Sequence, residues 1–241
     1  MIAIYKREMY SFFTSPIGYA YIAMFCAISN FVFCMFTLLA GVDSSVSSFF
    51  TAELLIMALM TPLLTMKSFS EERKLGTEQL LLTSPVSLPG FVGAKFLASY
   101  TMFAISFLIT CLNYPIMFSY LSDEYLFQYN VTTALGGCVA LLLIGAAFIS
   151  IGLLISSLTE NQMISAVGTL TTLACLLGIS LLNAYINFAP LRAVIRWLSV
   201  YSRFTAFAAG YFDFASLIYY ASFSIVCLFL TVRIYEKRRW S

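Results

Sequence analysis

Residues 132–157 read TTALGGCVALLLIGAAFISIGLLISS, a stretch of twenty-six residues without one charge. A run this long and this apolar spans the roughly 30 Å hydrocarbon layer of a bilayer, and with no water there to satisfy its backbone it must be helical. Five further runs of the same character surround it, at about 18–40, 50–66, 92–120, 162–183 and 214–234. The weak dyad alternation of barrel strands is absent. The expectation is an all-α integral membrane protein with six transmembrane helices, forming one transmembrane domain over residues 1–241.

Composition agrees. The chain has 241 residues, 61% of them apolar, with 13 Lys+Arg and 11 Asp+Glu. A soluble chain of this length carries about 60 charged residues. Too little polar surface remains here to coat a soluble globule, and too much apolar surface for a disordered chain. There is no histidine, which removes His-based acid–base catalysis, His-zinc sites and Ser-His-Asp triads. The six cysteines (Cys26, Cys34, Cys111, Cys138, Cys175, Cys227) all fall in apolar stretches without a C-x-x-C pair, and read as small hydrophobic filler. No catalytic residue, metal site or nucleic-acid partner is expected.

Orientation follows from the basic residues. With the N-terminus inside, the inner segments hold Lys6, Arg7, Lys67, Arg73, Lys74, Lys95, Arg233, Lys237, Arg238 and Arg239, and the outer ones only Arg192, Arg196 and Arg203. That bias places both termini in the cytoplasm. The first apolar run comes too late and is too long for a cleaved signal peptide.

Four segments lie outside the spans. Residues 1–16 space Ile4, Tyr5, Met9, Phe12 and Phe13 around Lys6, Arg7 and Glu8, and end at Pro16. They read either as a helix in the headgroup plane or as an ordinary basic flank. Residues 67–90 (KSFSEERKLGTEQLLLTSPVSLPG) hold the densest charge in the chain. Gly76 is placed to end one short helix in a left-handed cap and Thr77 to start the next, with Pro85 and Pro89 stopping regular structure before the third span. The exposed Leu80–Leu82 ridge beside mixed charge reads as a docking surface for a soluble partner. The alternative is a solvated loop whose leucines dip into the interface. Residues 122–131 form a short acidic outer loop, in which the sequon-like Asn130-Val131-Thr132 reads as accidental. Residues 184–213 are expected to form an outer re-entrant hairpin, with Trp197 in an aromatic belt and Arg192, Arg196 and Arg203 snorkelling to phosphates.

Little chemistry lies inside the membrane. Glu53, Lys95 and Arg233 fall near span ends, where charge is expected to be interfacial and cheap to hold. Ser106, Thr110, Asn113, Thr169, Thr171 and Thr172 can bond between helices or line a wet path. Gly136, Gly137, Gly145, Ala146, Ala147 and Gly152 allow the fourth span to pack closely. No phosphate-binding loop exists, since Gly90-Phe-Val-Gly-Ala-Lys95 has the wrong spacing. If transport is energised, the energy must arrive through another subunit.

Two stretches carry a family resemblance: Lys67 to Val86, and the C-terminal run from Arg203 through Asp213, Ser216, Tyr219-Tyr220 and Leu228–Arg233 to Trp240. Ser157-Leu-Thr-Glu-Asn-Gln162 adds a weaker one. On these the chain resembles the type-2 ABC exporter permeases, most closely the branch related to gliding-motility-associated permease subunits. The resemblance implies an N-terminal interfacial helix, six spans, a cytoplasmic coupling helix in 67–90 and an outer hairpin in 184–213. It implies pairing with a second permease, a different chain being slightly favoured, in a prokaryotic inner membrane. It also implies a cytoplasmic ATPase partner that binds ATP and Mg, this chain binding no cofactor and being no enzyme by itself. Carried over by position, Glu71, Glu72, Arg73, Lys74, Gly76, Thr77 and Glu78, with Leu80 and Leu81 beside them, would face that ATPase. A non-transporting scaffold or mechanical subunit of such a complex is the alternative reading. No substrate is implied.

Overall fold

The protein is described from a computed structural model that covers residues 1–35, 46–78, 87–113, 124–182, 199–208 and 213–240. Among these residues there is no strand, and nine helices follow in order. They are α1 (Ile2–Thr14), α2 (Pro16–Phe33), α3 (Val46–Thr65), α4 (Ser70–Lys74), α5 (Leu88–Cys111), α6 (Glu124–Leu158), α7 (Gln162–Leu182), α8 (Val200–Ala208) and α9 (Phe214–Trp240). Six of them, α2, α3, α5, α6, α7 and α9, are long and apolar enough to cross a bilayer. The expected Leu80, Leu81, Arg192, Arg196 and Trp197 lie outside the described residues.

The deciding stretch sits at the centre. Helix α6 packs against α3, α4, α5, α7, α8 and α9, and Ala140, Leu141, Ile144, Phe148 and Leu153 on it are fully buried. Its small residues explain the close approach. A Cβ on Gly137 would run into the Phe50 ring, and one on Gly152 into Thr65, both on α3; on Gly145 it would meet Phe103 of α5. In lipid, where apolar burial between helices contributes little, such van der Waals contact is the main attraction.

Four of the span hydroxyls singled out in the sequence bond within their own helices. Ser106, Thr110, Thr169 and Thr172 donate to carbonyls three or four residues earlier on their own helices, the local bond that satisfies a hydroxyl without a partner helix. Asn113 does bridge, donating to Asn30 Oδ1 at 2.6 Å and so tying the end of α5 to α2.

Local stops follow the sequence. Ser15 is extended (ψ 138°) and its Oγ accepts from the Ile17 amide, so α1 ends and α2 starts with Pro16 in its first turn. Pro89 acts in the same way: it begins α5 at Leu88 rather than holding off regular structure until residue 92. Helix α1 lays Ile4, Met9 and Phe12 on the bundle and bonds α5 through Tyr5 Oη and Thr101 Oγ1, 3.1 Å apart. At the opposite end, α8 buries Phe204 and Phe207 completely. Tyr220 donates to the Val200 carbonyl at 2.8 Å, and the Arg203 guanidinium stacks over the Tyr219 ring. Asp213 caps α9, where hydrogen bonds from Ser216 and Ala215 hold its carboxyl below its ordinary value.

Candidate functional site

The charge-dense segment after α3 folds into a turn (Met66–Phe69), the single-turn helix α4, and a reversal at Gly76, whose φ of 70° lies in the left-handed region that glycine adopts freely. Its amide bonds the Arg73 carbonyl, and the Thr77 hydroxyl donates back to the Glu72 carbonyl at 3.2 Å. Helix α4 is too short to stand alone. Ser156 of α6 holds its start in place, its Oγ accepting the amides of both Phe69 and Ser70 at 3.2 Å. This is an N-cap supplied by another helix.

The acidic and basic residues of the segment then split by direction. Glu72 Oε1 receives Arg7 Nη2 of α1 at 2.7 Å and Lys95 Nζ of α5 at 3.1 Å. Arg73 pairs with Glu160 at 2.7 Å and donates to the Leu158 carbonyl. Glu78 pairs with Arg238 of α9 at 3.2 Å, and Arg238 also donates to the Ser157 carbonyl at 2.6 Å. Two arginines from different elements thus satisfy the carbonyls that end α6, where a helix terminus carries partial negative charge. Lys74, Leu75, Gly76 and Thr77 are exposed, Leu75 to 69%.

Lys95 is the hub. It is 2% exposed and does not reach for the interface, so the expectation of a cheap interfacial cation is corrected. The reason is local: its three ammonium protons meet three acceptors, Glu8 Oε1 at 3.1 Å, Glu72 Oε1 at 3.1 Å and the Ser68 carbonyl at 2.6 Å. The rings of Phe69 and Phe91 lie 5.3 and 5.4 Å from it, and Tyr235 closes the aromatic cluster against both. Arg7 completes the network by pairing with Glu8 as well, at 2.7 Å. Burial alone would lower the Arg7 guanidinium, but hydrogen bonds and charge from Glu8 and Glu72 outweigh it and hold the group above its ordinary value.

Glu53 corrects the same expectation differently. It is fully buried between α2 and α3, with Ser29 Oγ donating to its Oε2 at 2.8 Å and no hydrogen-bond partner on Oε1. On the far side of α3, an apolar groove of about 600 Å³ separates α3 from α7, lined by Leu54, Leu55, Ala58, Leu59, Leu170 and Leu177 among others. Only 17% of the α7 span is buried inside the chain, the lowest share of the six.

Residues 2–234 match the family described as ABC-2 family transporter protein. The chain belongs to the ABC-2 transporter family. A comparison with curated proteins returns no match. As an ABC-2 chain it is a membrane permease component of an ABC transporter, multi-pass and not itself the catalytic part; such permeases work with an ABC ATPase subunit. Sequence reasoning placed Glu72, Arg73 and Glu78 in the site but missed what they bind. Lys95, Glu8, Ser156, Glu160 and Arg238 are scattered through the chain, and although Lys95, Glu8, Arg238 and the Ser157–Gln162 stretch had drawn notice separately, nothing in the sequence joined them.

Proposed function

We propose that this chain is the permease of an ABC exporter and that its 67–78 segment is the coupling element on which a cytoplasmic ATPase docks. One observation carries the reading. The segment leaves Lys74–Thr77 exposed as a compact tip, while Glu72, Arg73 and Glu78 behind it bind α1, α5, the turn after α6, and α9. A push on the tip therefore reaches four separate parts of the membrane domain through short ion pairs. The clustering of Arg7, Lys67, Arg73, Lys95 and Arg238 at this end supports placing it, with both termini, in the cytoplasm of a prokaryotic inner membrane.

ATP-driven closure of the ATPases displaces the tip. Glu72 then drags Arg7 and Lys95, and with them the interfacial helix and the inner end of α5. Two permease copies or two related chains face each other across the sparsely covered α7 and the apolar groove beside α3, and the path opens between them. The affinity to the gliding-motility-associated branch, on the C-terminal and 67–86 stretches, favours a different chain as the second permease.

The test is affinity purification of the full chain, in mild detergent, from its intact operon. The expected result is a co-purifying ATPase with a Walker motif, lost in Leu75→Asp. A chain that purifies alone from a membrane in which it is correctly folded overturns the reading.

A further inference from the structure

A second cavity, of about 430 Å³, opens between α1, the end of α3 and α4, with the ion network of Arg7, Glu8, Glu72 and Lys95 forming part of its wall. Its walls combine two chemistries. Arg7, Lys67 and Glu71 present charge beside the mutually paired Glu8, Glu72 and Lys95, and Phe12, Ile17 and Leu63, the last two on membrane-spanning helices, form an apolar side. The charged groups are unequally engaged. Every other ion pair among the described residues is 3.2 Å or shorter, whereas Lys67 Nζ lies 3.9 Å from Glu71 Oε2, with 29% and 40% of the two side chains exposed. Both Arg7 bonds use its Nη2 atom, which leaves Nη1 and Nε as donors. So the cavity holds cationic donors, a loosely held carboxylate next to one of them, and an apolar wall, where a span meets an amphipathic helix.

We infer that this cavity is a binding site for a zwitterionic phospholipid with a primary ammonium headgroup, a phosphoethanolamine lipid. The phosphate takes the free donors of Arg7 together with Lys67. The ammonium donates to Glu71, replacing one long ion pair by short charge-assisted bonds at both ends. The first carbons of the acyl chains follow Phe12, Ile17 and Leu63. Charge complementarity selects the headgroup. A quaternary choline ammonium has no proton to donate to Glu71, and a glycerol headgroup carries no cation and leaves that carboxylate facing a net negative lipid. Because the cavity is lined by α1, by the residues immediately before α4 and by Glu71 and Glu72 of α4 itself, the bound lipid braces the segment from the membrane side. The site stands whether or not the segment docks an ATPase.

The test is native mass spectrometry of the full-length purified chain incubated with equimolar phosphoethanolamine, phosphocholine and phosphoglycerol lipids of identical acyl chains. The expected result is one phosphoethanolamine lipid retained per chain, with about fivefold preference over each competitor. Glu71→Gln should bring the phosphoethanolamine lipid level with the phosphocholine one, and Lys67→Gln should weaken both, with an unchanged melting temperature showing that each variant is folded. Equal retention of all three lipids, preference for the anionic lipid, or a preference that survives Glu71→Gln would overturn the proposal. Displacement of the lipid by equimolar soluble glycerophosphoethanolamine would overturn the lipid as the source and reassign the site to the free headgroup.

Discussion

The two sides of the 67–78 segment differ sharply in what they touch. Its inner side ties Glu72, Arg73 and Glu78 to Arg7, Lys95, Glu160 and Arg238 at 2.7–3.2 Å. Its outer side, Lys74–Thr77, carries a leucine, Leu75, exposed to 69%. Charge that looks uniform in sequence has thus been sorted into groups that hold the segment to the bundle and groups left exposed. The lesson concerns buried charge in membranes. Lys95 is tolerated at 2% exposure because three oxygens surround its ammonium, and an ion so held links the elements that supply them.

The largest blow to this contrast should come from Lys95→Met. It leaves Glu8 and Glu72 sharing Arg7 alone and should cost about 3 kcal/mol, the lower end for breaking a buried pair, because both carboxylates keep some solvent contact. Denaturant titration in mixed micelles checks it. A loss under about 1 kcal/mol would make the hub dispensable.

Gly76→Ala comes next. Nothing lies within 4 Å of the added Cβ, so the whole cost is backbone strain at φ 70°, about 1–2 kcal/mol. Gly76→Asn should recover part of it, since asparagine tolerates this region. Equal stability of all three would mean that the reversal is not held in the left-handed conformation.

The smallest effect on stability sharpens the contrast rather than breaking it. Arg73 and Glu160 are 29% and 65% exposed, so a double-mutant cycle between them should return less than about 1 kcal/mol. Lys74→Ala, on the outer side, should be neutral to stability within the error of the same titration. A larger loss at Lys74 than at Arg73 would invert the assignment of the two sides.

Much of this architecture was legible in the sequence, for reasons that also explain the gaps. Apolar length and charge-free runs locate spans because lipid imposes one constraint on all of them, and each of the six expected runs overlaps one of the six long helices, with ends that differ by up to several residues. Gly136 to Gly152 announced close packing because small residues have few other uses there. Pro89 misled because proline both stops and starts helices, and only the chain around it decides which. Lys95 and Glu53 misled more instructively. Position along a span gives depth in the bilayer, but not which way a side chain points around the helix, and both point into the protein. The network could not be read because its members come from positions 7, 8, 72 and 95, and sequence spacing carries no trace of a meeting between helices so far apart in the chain.

The most direct test places single cysteines at 75, 77 and 68 in an otherwise cysteine-free chain, co-expresses each with the ATPase from the same operon, and treats intact membranes with a short bifunctional thiol–amine crosslinker. Leu75→Cys and Thr77→Cys should join the ATPase, and Ser68→Cys, whose native side is 7% exposed beside Lys95, should not. Crosslinks from 68 alone, or none from 75 and 77 while the ATPase remains bound, would contradict the division of this segment into a docking side and a transmitting side.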